Sequence, residues 1–189
     1  MCIRDSFASV FERVADSRLK VFLYHIPPLT QIGFSLPLIE RLRRGFPEIV
    51  VGLKDSSGDW AHTRTLIEAL PGFTIYSASE TALLDNLRRG GAGCISASAN
   101  VNARMLRRIF DAPDEADALQ VQASAVRKEI QTHPLIPATK ALIAHYRRDE
   151  NWRATRAPLD PLAASESAAL VERLTKLGFS LDSTMTVEN

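Results

Sequence analysis

Four short apolar runs constrain this chain more than any other feature: KVFLYHI (20–26), EIVVGLK (48–54), GFTIYSA (72–78) and GAGCISA (91–97). They are nearly continuous in apolar residues rather than alternating, the pattern of strands buried on both faces of a parallel sheet. Each begins roughly 20 to 30 residues beyond the last, the length of a βα unit with short loops. The stretches between them carry readable helix ends. Ser35, Asp59 and Ser79 stand where N-caps belong, Pro37 falls in a first turn, and SLPLIERLRRG and SETALLDNLRRG both close on Leu-Arg-Arg-Gly. Cations in a last turn suit the macrodipole, and a glycine there can take positive φ. Asn100 or Asn102 opens a further helix after the fourth run, and FASVFERVADSRLK is a leading helix before the first.

Four parallel βα units fit either an open doubly wound sheet or half of a (β/α)₈ barrel. An open nucleotide-binding sheet should offer GxGxxG or GxxxxGK[ST] after a strand, and neither occurs, which favours the barrel. A complete barrel takes about 250 residues. The expected fold is therefore α/β, the C-terminal half of a TIM barrel. After Asp111 the strand signal vanishes, and helices are expected over about 113–131, 137–148 and 161–177, the last stopped by Gly178. The expected organisation is a non-native leader, MCIRDS, at 1–6, a half-barrel at 7–111, a helical extension at 112–178 and a frayed tail at 179–189.

Composition excludes several functions. Lys and Arg number 23 and Asp and Glu 22, a net charge of +1 with no basic run to track a phosphate backbone, so nucleic acid is not an expected partner. Cys2 and Cys94 form no metal-ligand or disulfide pattern, and no apolar run is long enough for a membrane span. A soluble cytoplasmic protein without metal or cofactor is the expectation.

Ligands of such folds gather at the C-terminal strand ends. There the chain places Tyr24 and His25, Lys54 and Asp55, Ser77 to Glu80, and Ser96 to Asn100. Lys54 poses the chief question, because an ammonium at the end of an apolar strand is either a solvated, snorkelling residue or a nucleophile. An amine held against apolar surface loses its proton more readily and can add to a keto group to form an imine. A tyrosine beside it can relay protons. Pattern alone leaves both readings open.

The pieces YHIPP (24–28), GLKDSSGD (52–59), SASET (77–81), GGAGCISASAN (90–100) and TRAPLDPL (155–162) narrow the choice. In order and spacing the chain resembles the dihydrodipicolinate synthase/N-acetylneuraminate lyase family, pyruvate-dependent class I aldolases and lyases on a (β/α)₈ barrel with C-terminal helices. The resemblance implies Lys54 as Schiff-base lysine and Tyr24 as its tyrosine. It also implies a pyruvate site lined by Gly93, Ile95 and Ser96, with Glu80 as a further pocket residue; His25, next to Tyr24, either helps shape the pocket or is an imidazole packed at a loop. The implied partners are pyruvate or another 2-keto acid plus an aldehyde, in a homo-oligomer. The sialate lyases' Gly-x-Asp-Glu is matched here only by Glu80, which weakens sialic acid as substrate. The family's Gly-Thr-Thr-Gly-Glu loop, which grips the pyruvate carboxylate, is not in this sequence, so the chain alone is expected to turn over little or nothing.

Overall fold

A computed structural model describes residues 2–181, which divide into two compact units, the first ending at Ile95 and the second beginning at Ser96. The first unit opens with helix α1 (Ile3–Val14), which takes in most of the MCIRDS stretch. Its apolar stripe buries Ala8 and Phe11, and the Phe11 ring meets Phe46 edge-on at 4.9 Å. Strands β1 (Val21–His25), β2 (Val50–Asp55), β3 (Thr74–Ser77) and β4 (Gly93–Cys94) then form one parallel sheet in the order β1-β2-β3-β4. Helices α3 (Leu36–Gly45), α4 (Trp60–Ala69) and α5 (Leu83–Arg88) lie between successive strands, and a one-turn helix α2 (Pro27–Thr30) follows β1.

Leu23, Leu53 and Ile75, on matched positions of the first three strands, are 1%, 0% and 0% exposed and pack with Ile39, Leu42 and Leu66 of the helices. Each such side chain contributes about 1.5–3 kcal/mol by leaving water. The other sheet face differs from the expectation of burial on both sides: Phe22 and Tyr24 are 44% and 50% exposed. Helices of this unit cover the Leu53 side, so only alternate strand residues enter its core. At Gly52 a Cβ would overlap both the Phe22 ring and the Thr74 carbonyl, so glycine lets Phe22 and Tyr76 approach to 5.8 Å across β2.

The register between β1 and β2 shifts once. Val21 pairs with Val50 and Phe22 with Gly52, leaving Val51 as the extra residue of a bulge. Beyond it Tyr24 stands opposite Lys54, Lys54 opposite Tyr76, and Tyr76 opposite Gly93.

Asn86 of α5 fixes the fourth strand. Its side chain is fully buried, accepts the Gly93 N–H at 2.7 Å, donates to the Ile75 carbonyl at 3.4 Å, and lies where a Cβ on residue 91 would sit. Asn86→Ala leaves that N–H unpaired in the interior, so a loss of about 1–3 kcal/mol is expected in urea denaturation. A variant as stable as the parent would show that water or a neighbour takes over the bond.

The second unit is helical: α6 (Ala99–Asp111), α7 (Asp117–Ile130), α8 (Leu135–Arg147) and α9 (Ala164–Lys176). Val101, Val126, Ile130, Leu142, Leu170 and Leu174 form its core. The unit begins at Ser96, before α6, rather than after Asp111, because the apolar face of α6 packs with α7 and α8. Asn102 stands inside α6, at a kink with φ −124° and ψ 17°, and Ser98 rather than an asparagine holds the N-cap position. Of the expected side-chain caps, Asp59 accepts from Ala61 and His62 N–H and Ser79 from Thr81 N–H, whereas Ser35 makes no cap bond. Among the described residues no helix is long and apolar enough to cross a membrane.

Candidate active site

The C-terminal ends of β1 and β2 bring together the tyrosine and the lysine singled out in the sequence. Lys54 Nζ donates to Tyr24 Oη at 3.2 Å and lies 4.4 Å from the centre of the Tyr24 ring. Because the two residues are directly paired in a parallel ladder, both side chains rise from the same face. The Ser56 hydroxyl beside the phenol, and then the Lys54 amine, hold the Tyr24 pKa below its ordinary value of 10, against a smaller upward push from burial. Ser56 Oγ is itself buried without a completed hydrogen bond. The folding back of the β2 end, where the Ser56 N–H donates to the His25 carbonyl, brings the serine hydroxyl to the phenol.

The next residues of the same strands point the other way. His25 is 5% and Asp55 3% exposed. Asp55 anchors the loop after β2: Oδ1 accepts the Ser57 N–H at 2.9 Å, and Oδ2 accepts from Thr63 Oγ1 and bonds His62 Nδ1, both at 2.8 Å. Burial pushes the Asp55 pKa up, but the bonds from His62, Ser57 and Thr63 outweigh it and leave it below the usual carboxylate value. His25 stacks on His62 with centroids 4.5 Å apart and accepts the Phe34 N–H on Nδ1 at 3.0 Å. Burial lowers the His25 pKa, the Asp55 carboxylate partly restores it, and His62 lowers it further.

Among the described residues, Asp55, His25 and His62 are grouped so that they could hold a metal, with donor atoms within 4.8 Å of one another. Their hydrogen bonds oppose it. With Nδ1 accepting from Phe34, a neutral His25 keeps its proton on Nε2 and has no lone pair left there for a cation. Both Asp55 oxygens already accept bonds.

The remaining expected residues are dispersed. Gly93 is buried at φ 115°, a conformation suited to glycine, and Ile95, which extends the β3–β4 ladder through its N–H to the Ser77 carbonyl, is 46% exposed. Ser96 belongs to the helical unit, where Arg127 donates to its hydroxyl at 3.1 Å and to that of Ser98 at 2.7 Å. The structure does not bring His25 and Glu80 to the Lys54 face. His25 follows Tyr24 by one residue and so faces the helices, and Glu80, in a 3₁₀ turn (Glu80–Ala82), is fully buried. Asn86, Ser56 and His62 went unnoticed in the sequence, since nothing in their spacing marks them.

The chain as a whole has relatives among known proteins. The sequence profile of the "Dihydrodipicolinate synthetase family" matches residues 4–177. An "Uncharacterized DapA-like lyase" of Chloroflexus aurantiacus is 36% identical over 159 residues, 82% of this chain and 52% of that protein. Dihydrodipicolinate synthase from Agrobacterium tumefaciens superposes with a TM-score of 0.82 at 30% identity, over 92% of this chain and 59% of the other. A prophage protein of the dihydrodipicolinic acid synthase family from E. coli, crystallised with pyruvate, superposes at 0.81 and 26% identity, over 95% and 63%. The chain thus spans a little over half the length of the relatives it matches.

Proposed function

Because this chain belongs to the dihydrodipicolinate synthetase family, whose fold it shares as the C-terminal half of a (β/α)₈ barrel, we propose that it carries the Schiff-base centre of a pyruvate-dependent aldolase or lyase. The observation that carries the reading is the 3.2 Å contact between Lys54 Nζ and Tyr24 Oη on the exposed sheet face. The unprotonated Lys54 amine attacks the keto carbon of pyruvate, and the carbonyl oxygen becomes the hydroxyl of a carbinolamine. Tyr24 gives that hydroxyl a proton so that it leaves as water, and the imine forms. The imine then withdraws electrons from the adjacent carbon, which either loses a proton and adds to an aldehyde carbon, whose oxygen takes up a proton, or by the reverse steps releases that aldehyde. Gly93, Ile95 and Ser96 are proposed to line the pyruvate site. Glu80 and His25 are proposed to support it from behind the sheet face.

The chain's share of its relatives' length makes the full reaction, and which aldehyde it uses, a property proposed for the whole protein. Imine formation needs only Lys54 and Tyr24. Incubation with pyruvate and borohydride is therefore expected to place a reduced adduct on the Lys54 peptide well before Lys20, Lys128, Lys140 or Lys176. Labelling spread evenly over the lysines, or absent from Lys54, would overturn the proposal.

A further inference from the structure

We infer that His25 is a positioning residue whose neutral imidazole straps the 26–34 segment to the end of β1, and that its protonation releases this strap behind Tyr24. The segment Ile26–Phe34 leaves β1 directly after His25, turns through Pro27–Thr30 and comes back so that the Phe34 N–H meets His25 Nδ1 at 3.0 Å. Gly33 makes the return possible: a Cβ there would stand 3.0 Å from His25 Cε1 and 3.6 Å from the Pro27 ring. The Phe34 ring lies 6.3 Å from the imidazole. The backbone carbonyl of His25 meanwhile accepts the Ser56 N–H at 2.7 Å, tying the ends of β1 and β2 together. One residue therefore holds three pieces: the returning segment, the strand bearing Tyr24, and the loop after Lys54.

Only the neutral ring can do this. A proton on Nδ1 turns the acceptor into a donor facing the Phe34 N–H, so the bond is lost and two donors are opposed. The ionisable groups facing His25 are Asp55 of β2, whose charge favours the imidazolium, and His62 of α4, stacked on it. Burial outweighs the carboxylate, so the strapped His25 titrates below the 6.5 of a free imidazole. The sign follows: the strap is at full strength above about pH 6.5 and weakens as the pH falls through the lower, strapped value, by up to about tenfold per pH unit.

The bearing on catalysis rests on the Schiff-base reading, but the strap does not, and the experiment separates the two. Hydrogen exchange at the Phe34 amide, divided by its intrinsic rate at each pH, is expected to show protection falling between pH 7.5 and 5, by at most about tenfold per pH unit. The His25 ring resonance should titrate over the same interval. In His25→Asn the amide Oδ1 sits two bonds from Cβ, as Nδ1 does, and accepts without titrating, so Phe34 protection should stay level. Protection that is flat in the parent chain, or that falls equally in His25→Asn, overturns the inference; should the variant not fold, the parent titration alone decides. With pyruvate and borohydride, the ratio of parent to variant trapping rates should fall on the acid side, a comparison that cancels the protonation of Lys54. Failure of trapping at every pH would strike the Schiff-base reading and leave the Phe34 result standing.

Discussion

Replacing Tyr24 with phenylalanine is expected to slow adduct formation at Lys54 by about 10²- to 10⁴-fold, the range for loss of a positioned proton donor. Stability should change by less than about 0.5 kcal/mol, because the ring stays and only a hydroxyl on a half-exposed side chain is removed. The large kinetic effect has a physical source. Departure of water from the carbinolamine needs a proton at the hydroxyl, and the phenol next to Lys54 yields its proton more readily than a free tyrosine. Time courses of borohydride trapping give the rate, and urea midpoints give the stability. A Tyr24→Phe chain that traps pyruvate at the parent rate removes the phenol from the mechanism.

Leu53→Ala should do the reverse. Leu53 precedes Lys54 in the chain, is 0% exposed and points into the helix-covered core. Truncation removes the buried methyl groups and opens a cavity, at a cost of about 2–5 kcal/mol. Against a total of about 5–15 kcal/mol for a domain, that is a large fraction. Denaturation followed through the fluorescence of Trp60, which packs against the same core, should show it directly. The trapping rate per folded molecule should stay within a few-fold of the parent, since Lys54 lies on the other side of the strand. Neighbouring residues of one strand would then separate stability from chemistry.

The four strands were legible because their apolar runs are nearly continuous and bounded by helix caps, and Lys54 and Tyr24 drew attention because both stand at strand ends, with only the family resemblance choosing between a nucleophile and a solvated lysine. Other residues lie off the Lys54 face, each for its own reason. His25 was grouped with Tyr24 by adjacency, yet adjacent strand residues face opposite ways, and here the second faces His62 and Asp55. Glu80 was taken from a motif match, but a 3₁₀ turn carries it into the interior. Asn86 was invisible: an asparagine in an amphipathic helix has no periodic signature, and its value lies in one N–H of a strand to come. Unit boundaries followed packing rather than the end of the strand signal, which is why α6 joined the helices after it.

The extra residue at Val51 sets the phase of the whole site. Carried on without it, the pairing of Val21 with Val50 would set Tyr24 against Leu53 and His25 against Lys54. The phenol would then stand level with a core leucine, and the amine with a histidine committed to the helix layer. One surplus residue, three positions upstream and without any functional group of its own, advances β2 by half a pleat and brings Lys54 and Tyr24, the proposed nucleophile and proton donor, into step. The pairing of Lys54 with Tyr24 at this sheet end thus depends on a counting error built into the backbone, which no inspection of the two side chains would reveal.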